Sequence, residues 1–537
     1  RPPAGGLAEH RVGGRVGAGQ RLGGLLGRDA GVVTETSGAS APGPRARAYA
    51  LAAVPVALVA LAAYAATLLP DVGLWDTAEM QTVGPVLGIA HPTGYPTWTL
   101  LAWLASVVLQ PLGNEAYRAD LLAALCMAGA AALLAVRLVM ATSRPSLGLL
   151  GGLAFALTPV AWKWGVRADP HALHVFFAAL LLVLLGAWQA RRTAGDQRAG
   201  WWLIGAAVVY GLSLGNHALT LLLAPGIAVF VLAVAPRILW REPRLVLASA
   251  STVVATTVLV YLYLPLRSAM EPALDYADPE SWDRFWYVVS GEQFQGSFGP
   301  LPSLPTIISG AWEELVVGLG LLAALALAGA LLGLVRHPRL TLLSLLWFGC
   351  IWVFALGYPN ASIERYYLVP LLMAALWVAL AADALIDALH ELTAGRSRTA
   401  GRVTTGLLLA VLVIVPAVGR YDDQDASGDR RGRDYLEAVF TTVEPDAVIV
   451  SWWSFSTPLW YGQHVERRRP DITIIDDRDI LDDGYGSVEA AVDAHLDERP
   501  VYLVRRGRDL ERLQAGYELT LVPGIPTAMY RVEGPAQ

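Results

Sequence analysis

Tyr49–Pro70 reads YALAAVPVALVALAAYAATLLP, and Asp71–Pro96 continues it as DVGLWDTAEMQTVGPVLGIAHPTGYP. The first stretch is apolar from Tyr49 to Leu69, long enough for a bilayer-spanning helix of about 20 residues. The second begins at once with carboxylates (Asp71, Asp76, Glu79) and ends in a His-Pro-Thr-Gly-Tyr-Pro turn. Carboxylates beside a spanning helix are costly unless they face water, a partner or a substrate. The junction therefore reads as a membrane protein with a candidate active site at the membrane surface.

Composition agrees. Of 537 residues, 55% are hydrophobic and 16% charged, where a soluble domain carries about 25% charged residues. Mean hydropathy is +0.46. The net charge of -6 argues against a nucleic-acid partner. Lys163 is the single lysine, so cationic work falls to arginine, which stays charged and grips phosphate with two donors. Cys126 and Cys350 both lie in apolar runs and read as packing residues, not a disulfide or metal site. The first 46 residues, rich in Gly, Arg, Ala and Pro, read as a disordered tail without a cleavable signal.

The bilayer ruler predicts about eleven spans, near 48–69, 118–141, 146–162, 172–190, 200–214, 218–236, 246–264, 314–335, 339–357, 365–388 and 402–419. The run 97–110 is short and reads as interfacial or re-entrant. Arginine placement tests this count. With the N-terminus inside, Arg144, Arg191, Arg192, Arg198, Arg237, Arg241, Arg244, Arg336, Arg339, Arg396, Arg398 and Arg402 all fall on the cytoplasmic face. The loops 70–117, 163–171, 215–217, 265–313 and 358–364 and everything after 420 then share the extracytoplasmic face. Within 421–537, buried strands are expected at 446–451, 472–475 and 501–504, alternating with helices near 433–441 and 487–496, which makes a small α/β domain. The fold class is thus mainly α: a polytopic membrane domain over 47–420 with a catalytic first loop, 70–117, a long outer loop, 265–313, and that extracytoplasmic domain.

Chemistry gathers on the outer face. Asp76 fits a general base for a hydroxyl, with Glu79 one helical turn away; a capping-box pattern explains the same spacing. His91 and Tyr95 belong to the rigid turn, with His91 placed to meet an anionic group. Arg167 and Asp169 lie in WKWGVRADPH, where Asp169 also suits a helix cap. Asn216-His217 is a polar pair between two spans, explained equally by packing. Arg267 and Arg365 sit at outer span ends, where either snorkelling to lipid or holding a donor phosphate accounts for them. Asp76, Glu79, Asp169 and His91 are scattered possibilities for a divalent metal; no dense ligand cluster is present.

The stretches LWDTAEM with GIAHPTGYP, VRADPHALH, GLSLGNHALTLLLAPG, YLYLPLRS and WYGQHVERRRPDI resemble the membrane glycosyltransferases of the GT-C superfamily, and more closely the bacterial relatives of the transmembrane protein O-mannosyltransferases. The resemblance implies an inverting transfer of a sugar, mannose by family analogy, from a polyprenyl-phosphate carrier to an acceptor hydroxyl on a protein, glycan or lipid, in a bacterial plasma membrane. It assigns Asp76 as the base. Two departures stand out: Thr77 and Ala78 separate Asp76 from Glu79 where the family has adjacent acids, and Thr93 replaces the second proline of its turn. A transporter of lipid or small solutes, or a glycolipid-binding scaffold, is the alternative class. Transporter sites lie near the bilayer midplane, often between inverted repeats, whereas the charges here collect on one face.

Overall fold

The computed structural model describes residues 43–358, 362–392, 398–482 and 484–536. Residues 1–42, most of the expected tail, lie outside them. The structure is mainly helical, with a small sheet near the C-terminus.

Six helices are long and apolar enough to cross a membrane: Pro44–Ala66, Glu115–Thr142, Pro170–Thr193, Pro243–Ser268, Pro338–Gly357 and Ile363–Leu392. Each coincides with an expected span. Two more expected spans are broken. Pro145–Ala156 and Pro159–Gly165 meet at 70°, and Leu304–Leu319 and Leu322–Arg336 meet at 118°. Hydropathy registers apolar residues without registering the breaks. Thr158 caps a new helix with its hydroxyl and Pro159 opens it, while Gly320 turns the backbone of the second pair at φ 57°. Counting each bent pair once gives eight candidate spans among the described residues, against the eleven expected; Ala199–Leu214, Ala218–Val234 and Ala410–Gly419 are shorter apolar helices. Pro96–Val108 is also short, 13 residues. These helices make the chain an integral membrane protein.

Burial orders the bundle. Glu115–Thr142 packs on Pro44–Ala66 and Pro170–Thr193, and Ile363–Leu392 is the central helix, packed on Leu322–Arg336. Close approach here relies on small residues: a Cβ on Gly329 would fall 1.8 Å from the Trp377 carbonyl oxygen, and one on Gly148 2.7 Å from that of Ala135. At one end of the bundle Arg144 and Arg336 both pair with Asp387, so two arginines assigned to one face do meet there.

The C-terminal sheet holds β1 (Val448–Ser451), β2 (Thr473–Ile475), β3 (Val501–Val504), β4 (Tyr517–Leu521) and β5 (Tyr530–Pro535), ordered β2-β1-β3-β5-β4. The three expected strands form its parallel part; β5 and β4 add an antiparallel edge. The flanking helices Arg431–Thr442 and Val488–Leu496 fall where expected. This region is clamped onto the first loop. Arg433 donates to Asp71 at 2.6 Å and to Glu466 at 2.5 Å. Gly432 lies so close that a Cβ would come within 2.1 Å of the Gly73 carbonyl oxygen.

Candidate functional site

The helix Asp76–Val86 starts abruptly. Trp75 before it takes φ 63°, ψ -146°, a conformation that costs a non-glycine residue on the order of 1–3 kcal/mol. Its amide reaches the Ser454 carbonyl of the C-terminal domain at 3.4 Å. Asp76 is therefore the first helical residue, not a cap, and it lines a cavity of about 790 Å³. His91, Tyr95, Arg167, His217 and Arg365 line it too.

Asp76, Arg365 and Asp169 form one unit. Arg365 Nη2 lies 2.8 Å from Asp76 Oδ2 and Nη1 lies 3.0 Å from Asp169 Oδ2. The two carboxylates come from different loops and are bridged by one planar fork. Asp76 Oδ1 makes no hydrogen bond among the described residues. Burial would push the Asp76 carboxyl up, but Arg365 and then His91 hold it below its ordinary value. Asp169 is also the cap of Pro170–Thr193: its Oδ1 accepts from the His171 amide at 2.7 Å and faces His171 Nδ1 at 2.8 Å. Burial opposes its charge, yet His171 and Arg365 bring it below the usual carboxylate range. The cap expected from the sequence and the link to Arg365 are thus both made by one side chain.

Glu79 does not close a capping box. It accepts from the His91 amide at 2.8 Å and pairs with His91 Nδ1, so it locks the His-Pro-Thr-Gly-Tyr-Pro turn against the helix. Burial disfavours protonated His91, but Glu79 outweighs it and raises the pKa. His91 Nε2 meets the Tyr95 hydroxyl at 3.2 Å, and that hydroxyl donates to the Pro92 carbonyl. Gly94, at φ 81°, makes the bend. Tyr95 and His217 rings sit 5.6 Å apart, and His171 and His217 rings 4.4 Å apart. Burial, then His171 and His174, push the His217 pKa well down. Asn216 holds the loop beside it, donating to the Pro170 carbonyl at 2.9 Å, and does not line the cavity.

Two arginines separate sharply. Arg267 does not line the cavity. Its Nε donates to Leu87 O at 2.7 Å and its Nη2 to Val86 O at 3.3 Å, which satisfies the carbonyls at the C-terminal end of the Asp76 helix. In this structure the guanidinium expected to hold a donor phosphate serves a helix end instead. Arg167 is the opposite case. It lines the cavity beside the Trp164 ring, 5.9 Å from its centroid. Among the described residues it makes no ion pair or hydrogen bond, and its Nε is buried without a partner. Burial pushes its pKa down despite Asp120 and Asp429 nearby. Every other cation lining the cavity is paired: Lys163 with Glu364 at 2.5 Å, Arg431 with Asp429 at 2.7 Å, Arg478 with Asp479 at 2.6 Å and Arg365 as above.

The four residues considered as metal ligands are committed elsewhere, Asp76 and Asp169 to Arg365 and Glu79 to His91. Among the described residues no three His, Cys, Asp or Glu side chains group to hold a metal ion.

Several cavity residues were not anticipated: Tyr276 of the outer loop, Tyr366, and Trp453, Asp477 and Arg478 of the C-terminal domain. The last three follow β1 and β2. Ligands of open α/β sheets collect at the carboxyl ends of parallel strands, and the expected strands at 446–451 and 472–475 carried that signal.

Comparison with known proteins places this geometry. Residues 76–238 match the family described as Protein O-mannosyl-transferase TMEM260 N-terminal domain. The mouse Protein O-mannosyl-transferase TMEM260 is 33% identical over 204 residues, which are 37% of this chain and 28% of the mouse protein. The Dictyostelium discoideum protein is 25% identical over 129 residues, 24% of this chain and 16% of its own length. The match thus spans under a third of either relative. Among solved structures, ArnT from Cupriavidus metallidurans bound to undecaprenyl phosphate aligns with TM-score 0.57 at 14% identity, over 90% of this chain and 97% of ArnT. Archaeoglobus fulgidus oligosaccharyltransferase AglB, in complex with an inhibitory peptide and a dolichol-phosphate, aligns with TM-score 0.53 at 14% identity, over 89% of this chain and 74% of AglB. Residues 76–238 thus match the TMEM260 N-terminal domain model, and the chain shares the fold of ArnT and AglB.

Proposed function

We propose that this protein is a glycosyltransferase that moves a sugar, mannose by relation to TMEM260, from a polyprenyl-phosphate carrier to a protein Ser/Thr hydroxyl at the extracytoplasmic face. The observation that carries the proposal is Asp76: a carboxylate in the cavity, kept ionised by Arg365, with Oδ1 open. The acceptor oxygen attacks the anomeric carbon as its proton passes to Asp76 Oδ1. The bond from that carbon to phosphate oxygen breaks, and the polyprenyl phosphate leaves with the electron pair, so the anomeric centre inverts. A depressed pKa makes Asp76 a weak base, which suits proton transfer late in the breaking of that bond.

Arg167 takes the departing phosphate. Its Nε is buried without a partner and no ion pair among the described residues engages it, and a desolvated guanidinium stabilises developing phosphate charge strongly. Arg365 is the positioning residue that holds Asp76 through Asp169. His91 and Tyr95, fixed by Glu79, orient the sugar. Leu221 and Phe298, 60% and 47% exposed at the cavity rim, offer the polyprenyl chain an apolar entry. The relatives support this reading by name, and ArnT and AglB by the polyprenyl and dolichol phosphates they bind. Transporter sites lie near the bilayer midplane; against that reading, the C-terminal residues Trp453, Asp477 and Arg478 help to line this cavity.

The test uses membranes containing the protein, a panel of radiolabelled polyprenyl-phosphate sugars and Ser/Thr peptides. Transfer of label to peptide from at least one donor is expected. Labelled donor that moves across the membrane without any transfer would establish the transporter class instead.

A further inference from the structure

We propose that the C-terminal domain builds the acceptor half of the cavity, and that Trp453, Asp477 and Arg478 there hold the polypeptide whose hydroxyl reacts. The inference rests on the transfer reading for its chemistry, but its evidence lies in a different part of the molecule.

The first observation is topological. β2, β1 and β3 run parallel. Trp453 follows β1, Asp477 and Arg478 follow β2, and Arg505 follows β3. All four thus stand at the carboxyl edge of the parallel strands, where open α/β sheets place their ligand sites. That edge faces the cavity, since Trp453, Asp477 and Arg478 line it.

The second observation is the cost of holding Asp477 in place. Asp477 is paired with Arg505, a residue 1% exposed whose Nε and Nη2 have no partner. Asp477 itself keeps a side chain 45% exposed, and the Trp453 amide donates to its Oδ2 at 3.4 Å. Fold stability alone does not favour a buried arginine left half-satisfied behind one carboxylate. The arrangement presents an anchored anion to the cavity. Beside it, Arg478 is held by Asp479 and lies over the rings of Tyr276 and Trp460, 5.2 and 5.8 Å from their centroids.

The third observation is proximity to the reacting end. The Trp453 ring lies 5.7 Å from the His91 ring and 6.0 Å from that of Tyr276. His91 and Asp76 line the same cavity as Trp453 and Tyr276, so a ligand lying along Trp453 and Tyr276 shares that cavity with the base. The donor has another path: its carrier is a lipid, and Leu221 at the rim belongs to the apolar helix Ala218–Val234, whereas this wall is charged. An extended polypeptide presents alternating N–H and C=O groups. An adjacent anion and cation, Asp477 and Arg478, can take one of each while the indole covers a side chain.

The test uses the full chain in nanodiscs and a fluorescein-labelled Ser/Thr-rich peptide, with binding read without donor and peptide KM read with it. Asp477→Asn and Trp453→Ala are each expected to weaken peptide binding and raise peptide KM about tenfold or more, while donor KM moves less than twofold. The surface variant Asp509→Asn serves as the control. If Trp453→Ala does not fold, Asp477→Asn, which keeps the shape and removes one charge, decides. Unchanged peptide binding in Asp477→Asn would overturn the proposal, as would displacement of the peptide by a mannotriose competitor that also accepts the sugar. Because binding is read without donor, a wild-type protein that binds peptide and transfers nothing would count against the transfer reading and leave this wall supported.

Discussion

Arg365 stands between Asp76 and Asp169, 2.8 Å from one carboxylate and 3.0 Å from the other. One guanidinium thus bridges carboxylates from two different loops. Lysine is a point charge without the fork and cannot hold both partners in this geometry. Arg365→Lys is expected to cut transfer roughly 100-fold, because small displacements of a reacting group have costs of that order. Initial rates in proteoliposomes check this, and a rate within threefold of wild type would show that the bridge does not position the base.

Arg167 and Arg267 make opposite predictions. Removing a hydrogen bond to a charged group costs about 1.5–3 kcal/mol, so Arg167→Gln should raise donor KM roughly tenfold or more and leave peptide KM alone. Arg267→Gln loses only bonds to the Leu87 and Val86 carbonyls. It is expected to lower thermal stability with donor KM unchanged. Kinetics with donor and acceptor varied separately distinguish the two arginines.

The His91–Glu79 pair sets a pH dependence. Burial lowers the His91 pKa, and Glu79 more than restores it, above the ordinary 6.5. The protonated form is therefore complete below 6.5 and disappears as pH rises through the raised value. The kcat/KM profile should fall on that alkaline side. Glu79→Gln leaves burial unopposed and should move the alkaline limb to lower pH by about one unit or more. Asp76 lies below its ordinary 3.8, so its protonation removes activity only under stronger acid, with no acid limb between pH 4 and 5. A limb that stays in place in Glu79→Gln would assign it to another group.

Much of this was legible in the sequence, and the rest was not for identifiable reasons. The six long spans are visible because apolar length is a local property. The breaks at Pro159 and Gly320 are local too, but hydropathy does not weigh them. Asp76 stands out as a carboxylate beside a span. Its partners do not: Asp169 and Arg365 are 196 positions apart in the chain, and nothing in either neighbourhood names the other. Arg267 and Arg365 look alike from sequence, each an arginine at an outer span end, and only the fold sends one to a helix terminus and the other to the cavity. In the C-terminal domain β1 and β3 are buried on both faces and read as apolar runs, whereas β4 is largely exposed and its alternating polar residues resemble loop. Asp477 and Arg478 gain a place in the site only once the strand ends are seen to face the cavity.

The clamp between the first loop and the C-terminal domain should be as sensitive as the site. Gly432→Ala places a methyl against the Val72 and Gly73 carbonyls, and overpacking of this kind costs about 1–3 kcal/mol. Arg433→Ala removes the cation shared by Asp71 and Glu466, though Arg468 still pairs with Glu466 and Asn114 with Asp71, at about 1.5–3 kcal/mol. Both variants should make the segment after residue 430 more susceptible to limited proteolysis while the membrane helices stay protected. Unchanged cleavage rates would show that the clamp contributes little.

The central claim is that Asp76 Oδ1 receives the proton of the acceptor hydroxyl. Asp76→Asn keeps the size of the side chain and removes its basicity. The most direct measurement is single-turnover transfer of radiolabelled sugar from the polyprenyl-phosphate donor that serves the wild type, at saturating peptide, with donor binding measured in parallel. The account predicts a rate at least about 100-fold lower, with donor binding within a few-fold of wild type. Transfer at the wild-type rate in Asp76→Asn would contradict it.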